Sequence, residues 1–126
     1  MSDEEIDHLT VEDFLDIAAG VVGDVTIRDG CPLAAAAERP QLTVYGDDAY
    51  PTWAEKAAAL LHSLVRNHAL VDGNERMAWA ATRVFCILNG RDLGYTVDDA
   101  ERLMLAAAAG DLDVPQIARW IRDHRR

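Results

Sequence analysis

Cysteine is nearly absent from this chain of 126 residues: Cys31 and Cys86 stand alone and far apart. Their spacing argues against a disulfide framework or a cysteine metal centre, and both read as reduced, small apolar fillers. Long apolar runs are missing as well. No stretch approaches the ~20 uninterrupted apolar residues that a membrane span requires, and the segment 1–7 is acidic with no apolar run, so no signal peptide is visible and the default address is cytoplasmic. Positive charge is scarce, with 12 Lys+Arg against 22 Asp+Glu and a net charge of −10. No basic face can dominate such a field, which argues against a direct nucleic-acid binder. Aromatic residues make up only 6%.

What the chain does have is apolar content of 50%, much of it alanine, which favours closely packed helices. Its length corresponds to one domain, 1–126, large enough to bury about two-thirds of its unfolded surface. Residues 1–9 read as a short acidic tail. Thr10-Val11-Glu12-Asp13 can then cap a first helix, which Phe14, Ile17, Ala18 and Val21 give a packing face and Gly23 stops. Residues 25–29 are ambiguous. A short alanine-rich helix over 33–38 ends at Pro40. The segment 41–50 is the least helical part, an irregular loop in which Gly46-Asp47-Asp48 is a turn signal. Thr52-x-x-Glu55 is a capping box for a helix over 53–66, and Thr96-x-x-Asp99 and Asp113-Val114-Pro115-Gln116 start two further helices. Between them, Met77, Ala80, Ala81, Val84, Phe85, Ile87 and Leu88 wrap most of one helix, marking it as central. The expected fold is all-α: a compact bundle of about six helices around that central helix, with an irregular flap-like loop.

The chemistry concentrates between two of these helices, in His68-Ala69-Leu70-Val71-Asp72-Gly73-Asn74-Glu75-Arg76. Asp72-Gly73-Asn74 is a tight turn, and the helix after it starts near Asn74, so its unpaired N–H groups and positive dipole end are available to phosphate. His68 can accept a proton from an attacking hydroxyl. Asp72 is a hard oxygen ligand suited to Mg2+ beside substrate phosphates. The Asn74 amide can donate to phosphate oxygens and Arg76 can clamp them bidentately. Arg66, two residues before the histidine, is a further candidate for a phosphate contact. Together these groups describe phosphoryl or nucleotidyl transfer from a nucleotide to a hydroxyl. Blander readings stand beside them: His68 as a helix-end residue, Asp72 as a turn or cap, Arg66 as a helix-end cation, Arg76 as a partner of Asp72 or Glu75. His62 and His68 do not share a helix face, so they make no zinc pair.

The pattern His68-x-x-x-Asp72-Gly73-Asn74-x-Arg76 resembles the core motif of the Fic/Doc superfamily, H-x-F-x-[D/E]-[G/A]-N-[G/K]-R. Its flanks, Ala37-Glu38-Arg39-Pro40-Gln41, the run from Tyr50 to His62, and Phe85-Cys86-Ile87-Leu88-Asn89-Gly90, resemble the death-on-curing (Doc) branch, the toxins of toxin–antitoxin pairs. That resemblance implies transfer of a phosphoryl group from ATP to a hydroxyl of a translation factor, elongation factor Tu being the family's target. His68 would be the general base, Asp72 the Mg2+ ligand, and Gly73, Asn74 and Arg76 the phosphate cradle, with 41–50 as a flap that aligns the target. The alternatives are a nucleotidyltransferase that leaves AMP on its target, or an impaired interaction module.

The departures are specific. The motif's Phe is Leu70, the Pro common after the histidine is Ala69, and the Gly or Lys before the arginine is Glu75, a negative charge where donor phosphates would lie. The second arginine of the adenylylating Fic enzymes is Trp79, which favours the Doc branch. The built-in inhibitory pattern [S/T]-x-x-x-E-[G/N] of many Fic enzymes has no match, so the resemblance implies restraint by a cognate antitoxin in trans.

Overall fold

The computed structural model describes residues 5–126. Six helices are joined in the order α1 (Val11–Val21), α2 (Cys31–Glu38), a 3-10 turn (Arg39–Gln41), β1 (Thr43–Val44), β2 (Asp47–Asp48), α3 (Trp53–Asn67), α4 (Asn74–Leu88), α5 (Val97–Ala109) and α6 (Val114–Asp123). The mostly helical architecture is the expected one. Local chemistry fixes most helix starts. The hydroxyls of Thr10, Thr52 and Thr96 and the carboxylate of Asp113 each accept the backbone N–H three residues on, satisfying a donor that the first helical turn leaves unpaired. Among the described residues no helix is long and apolar enough to cross a membrane.

The centre of the bundle is shared rather than held by one helix. α3 packs against α2, α4, α5 and α6 and buries Ala57, Leu60, Leu61, Leu64 and Val65. Its alanines let neighbouring backbones approach closely. α4 lies between α3 and α1, burying Met77, Ala81 and Phe85. The expectation that α4 is covered nearly all round is corrected here, since Val84, Ile87 and Leu88 are exposed. Apolar composition marked those positions, but no helix covers that face among the described residues.

Two further expectations change. Of the segment expected as a tail, residues 1–4 lie outside the described residues, while Ile6 packs on the core and Leu9 is buried in it. The Asp7 N–H donates to Asn89 Oδ1 at 2.8 Å and Asn89 Nδ2 donates to the Asp7 carbonyl at 3.0 Å. The loop 41–50 is a small antiparallel hairpin, with Thr43 opposite Asp48 and Val44 opposite Asp47. Its two turn residues, Tyr45 (φ 51°) and Gly46 (φ 84°), both take left-handed dihedrals, as the tightest hairpin turns require. The hairpin is tied down at its root. Lys56 Nζ pairs with Asp48 at 3.2 Å and donates to the Tyr50 carbonyl, while Arg39 donates to Tyr50 Oη at 3.0 Å and Ser63 Oγ at 3.0 Å and meets His62 Nδ1 at 2.8 Å. Of the two thiols, Cys86 is buried as expected, whereas Cys31 is exposed at the start of α2.

Candidate active site

α3 ends where the chain turns left-handed at His68 (φ 48°, ψ 49°). That conformation is uncommon for a residue with a side chain, and the surroundings hold it in place. The Ala69 carbonyl accepts the N–H groups of Arg28 (2.8 Å) and Asp29 (3.1 Å), and the Val71 N–H donates to the Thr26 carbonyl at 2.9 Å. Ile27 and Leu70 thereby form an isolated antiparallel bridge. The ambiguous segment 25–29 is therefore the strip to which the motif loop is fastened. Leu70, which replaces the motif's Phe, is fully buried and anchors the loop in the core.

Asn74 completes the frame. Its Oδ1 accepts the Leu70 N–H and its Nδ2 donates to the Leu70 carbonyl, both at 2.9 Å. The carboxamide expected to meet phosphate thus spends one donor hydrogen on the loop itself, leaving its second amide hydrogen. Gly73 caps α4 at φ 83°, and a Cβ there would lie 2.6 Å from Val22 Cγ2. Only glycine meets both the dihedral and the space. No side chain caps α4, whose first accepted backbone bond runs from Met77 N–H to the Gly73 carbonyl. The N–H groups of Asn74, Glu75 and Arg76 are left for a ligand.

Over this turn lies a cavity of about 340 Å3, lined by His68, Asp72, Gly73, Asn74, Glu75 and Arg76, with Val71 at its edge. The fold therefore brings together five of the six residues singled out from sequence. Arg66 is placed elsewhere: its guanidinium donates to the Ala108 carbonyl at 2.6 Å and lies against Gly110, at the C-terminal end of α5. A cation there satisfies a terminal carbonyl and meets the negative end of the helix dipole. The long side chain crosses to a neighbouring helix, which sequence position alone does not reveal.

His68, Asp72, Glu75 and Arg76 are all exposed. Among the described residues no three of His, Cys, Asp and Glu gather into an all-protein metal cage. One carboxylate beside a phosphate cradle is instead the arrangement by which Mg2+ is held jointly by protein and substrate, and Asp72 fits that pattern. Beside the cavity, sharing Glu75 and Arg76 with it, runs a more apolar groove of about 310 Å3 floored by Trp79, Tyr95, Ala100 and Met104. Trp79 stands edge-on to Tyr95 and to Trp120, at 5.0 and 5.9 Å, and Arg83 lies over Tyr95. The sequence marked Trp79 as a departure from the family pattern. Its part in this groove depends on α5 and α6 folding back, and no local signal carries that.

The Fic/DOC family model matches residues 5–86. The chain is also 52% identical, over 117 residues, to Toxin Doc of Mycolicibacterium smegmatis (strain ATCC 700084 / mc(2)155), an alignment covering 89% of this chain and 88% of that protein.

Proposed function

The chain belongs to the Fic/DOC family, and on that premise we propose that it acts as a Doc-like toxin: a transferase that moves the γ-phosphoryl group of ATP to a hydroxyl of a translation factor. The observation that carries this reading is the single cavity shared by His68, Asp72, Gly73, Asn74 and Arg76 above the uncapped start of α4. Backbone N–H groups of α4 and the Arg76 guanidinium hold the phosphates, where the charge of a loose phosphoryl-transfer transition state spreads over equatorial oxygens. Asp72 would hold Mg2+, which neutralises phosphate charge. His68 takes the proton of the acceptor hydroxyl as its oxygen bonds to the γ-phosphorus, and the bond from that phosphorus to the β–γ bridging oxygen breaks, releasing ADP. The flap hairpin, rooted by Lys56 and Arg39, is suited to hold an extended acceptor segment by its edge. Elongation factor Tu is the acceptor that the family resemblance implies, and a cognate antitoxin the restraint.

Purified protein incubated with lysate and γ-labelled ATP should label one acceptor, and His68→Ala should abolish the label. Label from α-labelled ATP instead would assign nucleotidyl transfer. A second reading rests on Glu75, whose carboxylate lines the same cavity: an impaired module that keeps its antitoxin partner and binds no nucleotide. Growth arrest on expression, relieved by His68→Ala, favours the enzyme; arrest of neither protein, with no Mg-ATP binding by calorimetry, favours the module.

A further inference from the structure

Where α3 begins and α6 ends, a second cavity of about 540 Å3 is lined by Lys56, Arg91, Arg122, Arg125, Trp53 and Asp48, among others. The length of α3, Trp53–Asn67, separates it from the motif loop by about 20 Å. In a chain of net charge −10 with 12 cationic side chains, this convergence of positive charge stands against the overall field. Among the described residues Asp48 is the one carboxylate lining the cavity, and Lys56 pairs with it at 3.2 Å. Arg122 and Arg125 have no ion-pair partner among the described residues. The guanidiniums of Arg91 and Arg125 lie 5.4 and 5.7 Å from the Trp53 ring centroid. Burial, and then the charge of Arg125, hold Arg91 below its ordinary range. The helix dipole accounts for Arg122 in the last turn of α6. It does not account for Arg91 and Arg125, from different segments, meeting on one indole.

We propose that this cleft is a second anion site, separate from the motif loop, that takes a phosphate monoester. A monoester carries about −1.5 to −2 charges near neutral pH, which matches the guanidiniums of Arg122 and Arg125, neither of which has an ion-pair partner among the described residues. The planar fork of arginine grips a tetrahedral oxyanion through paired N–H donors. Trp53, Ile6, Pro51 and Ala54 supply an apolar wall for the organic part, and the volume suits a small ligand or a single side chain. The ester could arrive as a free metabolite or as a phosphorylated side chain on a protein, and the recognition chemistry is the same.

The test follows the indole N–H resonance of Trp53 in the full chain, assigned by its loss in Trp53→Phe, at fixed ionic strength. The probes are O-phosphoserine, a phosphoserine peptide, its unphosphorylated Glu counterpart and sodium chloride. Saturable shifts are expected with both phosphate probes. Arg122→Gln and Arg125→Gln, both at exposed positions, should each weaken them about tenfold or more, and Arg76→Ala should leave them unchanged. Equal affinity for the two phosphate probes supports a metabolite, and tighter binding of the peptide supports a protein. The proposal is overturned if phosphoserine gives no saturable shift, if chloride or the Glu peptide matches it, or if Arg76→Ala removes it.

Discussion

Asn74 grips Leu70 by both ends of its peptide, accepting the N–H and donating to the carbonyl at 2.9 Å each. One carboxamide therefore does for the motif loop what a strand partner does for a sheet. Asn74→Ala would leave both Leu70 groups unpaired at a part-buried position, where each unsatisfied group costs about 1–3 kcal/mol. A loss of about 2–4 kcal/mol in urea denaturation is expected. Asn74→Asp keeps the acceptor and should lose less.

Gly73 and Val22 make a second paired test. A Cβ at Gly73 falls 2.6 Å from Val22 Cγ2, and the residue sits at φ 83°. Gly73→Ala should destabilise the fold by about 2–4 kcal/mol, combining overpacking with left-handed strain. Adding Val22→Ala should relieve the clash and leave the strain, so the double variant should recover part of the loss. Additive losses would show that Val22 simply moves aside.

Glu75 lines the motif cavity in the first turn of α4. Placed there, its carboxylate would repel a nucleotide's phosphates through solvent. Glu75→Gly and Glu75→Lys should bind Mg-ATP about three- to tenfold more tightly, with the gain shrinking as salt rises. Calorimetry at one Mg2+ concentration and two ionic strengths measures both effects.

His62 and His8 set a pH dependence of stability. Burial, then the charges of Arg39 and Arg66, lower the pKa of His62; burial, then Lys56, lower that of His8. The unfolded chain therefore binds more protons than the folded one below the ordinary histidine value of about 6.5. Their stabilising contribution is present above that pH and is lost as pH falls through the depressed folded values. Unfolding free energy should decline from pH 7.5 to 5.5, and His62→Gln, which keeps an acceptor for Arg39, should flatten the decline.

Cap chemistry was readable from sequence because it is local: Thr10, Thr52, Thr96 and Asp113 each speak to a residue three positions on. The motif loop was readable for the same reason, its reactive groups lying within nine consecutive positions. Long-range relationships were not. The segment 25–29 has no pattern of its own because its backbone, not its side chains, pairs with the loop. The flap was misread as irregular since Tyr45, not Asn or Asp, takes the first left-handed turn position, which displaced the expected turn by one residue. Arg66 fits the helix-end reading rather than the phosphate one, and the particular helix end it meets was hidden because a long side chain on the last turn of α3 reaches another helix.

The motif loop divides its labour by residue. Ala69, Leu70 and Asn74 hold it through backbone and core, while His68, Asp72, Glu75 and Arg76 stand in solvent. A change at Asp72, Glu75 or Arg76, away from the left-handed position of His68, meets little resistance from folding, so substitutions can accumulate there one residue at a time on an unchanged frame. Glu75 is such a substitution relative to the family pattern, and the anchoring of the loop through Leu70 and Asn74 does not depend on it.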